Sequence, residues 1–158
     1  MICAIVDLHW FGGCRRGPAE AACGRGDWRK MGITARWDDE DAGRVVLDCD
    51  RDWDWVALRQ AALDVIALEA SAGRTVDVIV DLRRSAARLR LNDVAHIRQV
   101  MRVCPEGDHG LIVLVTRDPL FGVMAGVVVR LFTRLAGRMY LAPTPEEARQ
   151  LIARLKQV

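Results

Sequence analysis

Between Ile33 and Val158, short runs rich in valine and isoleucine alternate with longer stretches whose apolar residues recur every three or four positions. That alternation confines the chain to an α/β arrangement, because a strand reached through a helix is laid parallel to the strand before it. Two helix starts fix the phase. Thr116-Arg117-Asp118-Pro119 sets a capping carboxylate before a proline at the first helical position. Thr144-Pro145-Glu146-Glu147 is a capping box in which Thr144 and Glu147 can satisfy each other's backbone donors.

The pattern predicts strands at Ile33 to Trp37 and Arg44 to Cys49, joined as a hairpin by the acidic run from Asp38 to Gly43. A helix capped by Asp52 or Asp54 follows, with Leu58, Ala62, Val65 and Ile66 as its apolar stripe and Gly73 as its stop. Thr75 to Leu82 reads as a strand buried on both faces. The second helix starts at an Asn92 cap, carries Val94, Ile97, Met101 and Cys104 on one side, and stops before Pro105. Gly110 to Thr116 is the next strand, Pro119 to Ala136 a very apolar third helix, Arg138 to Ala142 the last strand, and the final helix runs on Ala148, Leu151, Ile152 and Leu155. The order β-β-α-β-α-β-α-β-α predicts a mixed five-stranded sheet with helical cover, the hairpin forming its antiparallel edge.

Residues 1 to 30 show neither period, with Gly12, Gly13, Gly24, Gly26 and Pro18 scattered among arginines. They read as an irregular tail before a domain at 31 to 158. Two explanations stand: a flexible arm, or a true start at Met31, where the regular pattern begins.

Charge is uneven. The stretch from Asp38 to Asp54 is acidic, whereas Arg83 to Arg102 holds arginines and only Asp93 against them. The formal total is only +2, which argues against general nucleic-acid binding, since that relies on a net basic footprint. Five cysteines with no Cys-x-x-Cys pair point to a reducing, cytoplasmic setting, and no uncharged apolar stretch is long enough for a membrane span.

No nucleophile, base and orienting group stand at recognisable spacing, and no phosphate loop or cofactor motif is present, so neither catalysis nor a cofactor is expected. His9, Cys3, Cys14 and Cys23 lack the close pair that a structural zinc site needs, so no metal is expected either. Two clusters remain as candidates. Arg83, Arg84, Arg88 and Arg90, beside a helix start at Asn92, could receive an anionic ligand or an acidic partner, against the plainer role of a solvated loop. Phe121, Met124, Val128 and Phe132 lie on a helix with apolar residues on more than one face. They suit a homodimer surface, with Gly122 and Gly126 allowing close approach, an apolar pocket, or burial in the core. Trp53 and Trp55 flank Asp54 at the start of the first helix, where one ring can staple the turn. Cys49 and Cys104 read as small buried hydrophobes.

The run Val76-Asp77-Val78-Ile79-Val80-Asp81-Leu82, the loop and helix after it, and Gly110 to Thr116 resemble the STAS and SpoIIAA-like superfamily. So do Arg138-Met139-Tyr140-Leu141-Ala142 and Thr144-Pro145-Glu146-Glu147-Ala148, the closing strand and helix. The resemblance implies a SpoIIAA-like fold over residues 31 to 158 and a non-enzymatic regulatory or protein-interaction role. In anti-anti-sigma members a phosphorylatable Ser or Thr opens the second helix; Asn92 stands there in this chain and Ser85 comes too early. The alternative is a carrier or sensor of a small apolar, lipid-like ligand between helix 119–136 and the sheet.

Overall fold

The computed structural model describes residues 28–30, 32–39, 43–85, 93–104 and 110–157. In chain order the elements are β1 (Trp28–Lys30), β2 (Ile33–Asp39), β3 (Arg44–Cys49), α1 (Trp55–Ala72), β4 (Asp77–Asp81), α2 (Val94–Val103), β5 (Ile112–Val115), α3 (Pro119–Leu131), β6 (Met139–Ala142) and α4 (Pro145–Leu155). The six strands form one sheet whose spatial order is the order of the sequence. The first three are antiparallel and the last four parallel. The chain is thus α/β with a mixed sheet, and it holds the five expected strands plus one. That extra strand, β1, pairs Trp28 with Ala35 and Lys30 with Ile33. It falls inside the stretch read as an irregular tail, and three residues are too few to leave an alternating pattern. Residues 1–27, Met31, Arg88, Arg90, Asn92 and His109 lie outside the described residues.

Each parallel step moves one strand over in the same direction. Right-handed crossovers then carry every connecting helix to the same face. The packing follows this rule: Ala57, Ala61 and Val65 of α1 and Phe121 of α3 meet Val45, Leu47 and Val80 on one face. On the other face, Ala148 and Ile152 of α4 meet Val46, Ile79, Val113 and Val115. Ile79, Val113 and Val115 are fully enclosed, each contributing on the order of 1.5–3 kcal/mol.

The helix ends follow local chemistry. Asp54 accepts the Ala57 N–H at 2.7 Å, and α1 stops at Gly73 in the left-handed region, φ +62°. Asp118 accepts the Leu120 N–H at 2.9 Å ahead of Pro119. At α4, the Glu147 N–H donates to Thr144 Oγ1 at 3.2 Å, while the Glu147 carboxylate takes the Thr144 hydroxyl instead of a backbone N–H. Helix α3 stops at Leu131 and not at Ala136. Phe132 leaves helical geometry at φ −122°, ψ 80°, and a 3-10 turn, Thr133–Leu135, with Gly137 at φ +73° brings the chain round into β6.

Two ion pairs fix α4. Arg149 holds Asp38 of β2, and Lys156, just past the helix, lies 2.5 Å from the buried Asp77, whose other oxygen accepts the Leu111 N–H.

Candidate functional site

Along β4 and its flanks, Val76, Val78, Val80 and Leu82 point to the three-helix face, as alternation along a strand requires. Ile112 and Leu114 of β5 stand beside them in register, Val78 against Ile112 and Val80 against Leu114. Leu58, Ala62, Val65 and Ile66 of α1 face them, with Phe121, Met124, Ala125 and Val128 of α3. Ile97, Val100 and Met101 of α2 complete the wall. These walls do not close on one another; they line a partly open apolar cavity of about 430 Å³.

The cavity exists because α2 stands off the sheet. A helix docked flush buries a whole stripe. Met101 is the buried residue of α2, and Ile97, Val100 and Cys104 line the cavity as a roof. Small side chains at Ala62 and Ala125 leave further room.

The two ends differ. Where the parallel strands finish, Trp53 and Trp55 meet edge to face at 5.4 Å and 79°, and Trp55 stacks on His96 of α2 at 5.7 Å and 8°. Trp53 Nε1 donates to Ser85 Oγ at 2.6 Å. This aromatic chain ties α1 to α2 and, with Phe121 and Leu82, lines that end with apolar side chains among the described residues. Where the strands begin, the lining includes Glu69, Gly110 and Arg138. Glu69 Oε1 accepts the Val76 N–H at 3.1 Å. Gly110 is obligatory there, since a Cβ would stand 2.2 Å from the Val76 carbonyl oxygen.

Of the apolar candidates, Phe121, Met124 and Val128 come together in the cavity wall. Phe132 does not join them; the break after Leu131 turns it into a small cluster with Met101, Val128 and Leu135. Of the arginine candidates, Arg83 forms a forked pair with Asp81, Nη2 to Oδ2 at 2.7 Å and Nε to Oδ1 at 3.0 Å. Burial of Asp81 would raise its pKa, but the Arg83 side-chain and backbone bonds outweigh that and hold it below the usual carboxylate range. The guanidinium of Arg83 is raised in turn, chiefly by its bond to Asp81. Arg84 is exposed, 4.0 Å from Asp50. Arg88, Arg90 and Asn92 lie outside the described residues. Cys49 is a buried thiol pushed up to about 12, first by burial and then by the carboxylates of Asp81, Asp48 and Asp50, which makes it unreactive.

Sequence reasoning placed the pocket between α3 and the sheet and missed the shares of α1 and α2. The α1 stripe of Leu58, Ala62, Val65 and Ile66 has the ordinary spacing of one helix face, so neither it nor Glu69 nor Arg138 announced the cavity.

Among the described residues no group of three or more His, Cys, Asp or Glu side chains is placed to hold a metal ion, and no helix is long and apolar enough to cross a membrane. Comparison with protein families, curated proteins and solved structures finds no match.

Proposed function

We propose that this domain binds a small apolar ligand between α1, α2, α3 and the sheet, as a carrier or sensor, without chemistry of its own. The observation that carries this is the cavity itself. Its volume, about 430 Å³, lies within the range of small-molecule sites, about 300–1,000 Å³. Walls this apolar are matched to an apolar occupant, whose burial stabilises fold and complex together. Native mass spectrometry of the freshly purified protein tests it, together with thermal shifts across fatty acids and prenyl compounds. Extra mass of one ligand, or a shift of several degrees, supports the proposal; neither, across the whole panel, sinks it.

A second observation favours the interaction role that the resemblance to STAS and SpoIIAA-like domains implies. On the outer face of α3 and on edge strand β6, Leu120, Val123, Leu131 and Leu141 are 62, 67, 53 and 42% exposed. An apolar surface of this kind suits a protein partner or a second copy of the chain. Sedimentation of the protein and of Val123→Glu tests self-association: a dimer that the substitution splits supports it, and a monomer at all concentrations removes the second copy as the occupant.

A further inference from the structure

Five large apolar side chains stand exposed among the described residues, and four of them gather on one face: Leu120, Val123 and Leu131 of α3 and Leu141 of β6, with Val56 apart on α1. The three on α3 are spaced so that successive turns of 3.6 residues align them in a single stripe, about 17 Å long at ~1.5 Å per residue. Leu141 joins the stripe beside Gly122, where a Cβ would stand 3.6 Å from a Leu141 methyl. Among the described residues β6 is the last strand of the sheet, so no further strand covers this side.

The charges along the stripe choose its occupant. Arg117, just before the helix, and Arg130, in its last turn, are exposed, and neither has a carboxylate partner among the described residues. From 117 to 141 the sequence holds four arginines and one acidic residue, Asp118, whose carboxylate accepts the Leu120 N–H as the helix cap. A second copy related by a two-fold axis would set arginine against arginine: Arg117 faces Arg130 if the two helices run antiparallel, and each faces its own counterpart if they run parallel. An anionic bilayer removes that conflict. The apolar stripe enters the boundary between headgroups and acyl chains, while the arginines extend their stems and keep their guanidinium groups at the phosphates. Because no helix among the described residues is long and apolar enough to cross a membrane, α3 lies along the surface.

We infer that α3 and the edge of β6 form a docking face for an anionic lipid surface, with Leu120, Val123 and Leu131 inserted and Arg117 and Arg130 on the headgroups. This gives to lipid the face that the interaction reading leaves to a protein or a second copy. The inner side of the same helix lines the cavity through Phe121, Met124 and Val128, but the docking face stands without a ligand there. Full-length protein is sedimented with vesicles of phosphatidylcholine alone, and with vesicles in which about a quarter of it is replaced by phosphatidylserine. Binding is at least about tenfold tighter to the mixed vesicles and weakens as salt is raised. Arg117→Gln/Arg130→Gln narrows that preference by on the order of tenfold. Leu120→Ser/Val123→Ser weakens binding by about tenfold or more, whereas Val56→Ser, on α1, leaves it unchanged. Equal affinity for the two vesicles overturns the choice of an anionic surface, and binding unmoved by Leu120→Ser/Val123→Ser overturns the face. No vesicle binding, with a dimer that Leu120→Ser/Val123→Ser splits, overturns the lipid assignment and hands the face to a second copy. Each of these outcomes leaves the cavity reading intact, since co-purified mass and thermal shifts decide it separately.

Discussion

Arg149, in the last helix, grips Asp38, in β2, through bonds of 2.9 Å from Nε and 2.7 Å from Nη2, across a sequence separation of 111. Asp38 also accepts from Arg44 Nε at 2.7 Å and is nearly buried. The Arg149 bond, opposed by burial and aided by Arg44, lowers its pKa from 3.8 to about 2. A depressed folded-state pKa means the stabilisation is complete above the unfolded value and fades as pH falls from about 3.8 through about 2. With solvent screening on the Arg149 side, that contribution is on the order of 1–2 kcal/mol. Urea melts between pH 6 and pH 2 should show the loss in wild type and not in Asp38→Asn. At pH 7 the Asn variant should be less stable by about 3 kcal/mol, because two arginines lose their shared partner.

Filling the cavity should separate binding from folding. Ala62→Phe directs a ring from α1 into the space facing β4. Binding of a fatty acid or prenyl compound that wild type takes up should fall at least tenfold while the melting temperature holds or rises, since the ring occupies volume that no side chain now fills. Calorimetry and thermal melts on the same sample check both halves.

Two glycines should respond in opposite senses to alanine. At Gly110 the new methyl would collide with the Val76 carbonyl, and the variant should lose about 3 kcal/mol or more. At Gly126, on the exposed side of α3, a Cβ meets nothing within 4 Å. There alanine should add about 0.5–1 kcal/mol through helix propensity. Chemical denaturation of both variants decides the matter.

Thiol labelling should tell Cys49 from Cys104. With Cys3, Cys14 and Cys23 changed to serine, native protein should react at Cys104, and at Cys49 only after unfolding. Because Cys104 lines the cavity, a saturating fatty acid or prenyl compound from that panel should slow its labelling several-fold. An unchanged rate with ligand bound would place the ligand elsewhere.

The strand and helix sequence was legible because its signals are local. Asp54, Asp118 and Thr144 announce their helices through bonds to nearby backbone N–H groups, and Gly73 ends one through its own conformation. What escaped depends on tertiary position. The three residues of β1 acquire their meaning only from pairing with Ile33 to Ala35. The early end of α3 at Leu131 answers to where β6 must begin, and the apolar run through Phe132 gives no hint of it. The cavity was half legible. An apolar excess on α3 could be read along one chain segment, but a roof formed by α2 standing off the sheet is a relation among three elements. Arg83 looked available in the sequence because its partner, Asp81, reads there only as the end of a buried strand.

The strand order β1 to β6 bears on how the molecule is made. Every new strand adds to the one completed just before it, so the sheet can grow in step with synthesis, never waiting for a distant partner. The exception is the last helix, whose Arg149 reaches back to the second strand. Until that helix emerges, Val46, Ile79 and Val113 face water. A nascent chain stalled before Pro145 is therefore the species most exposed to aggregation and most in need of a chaperone.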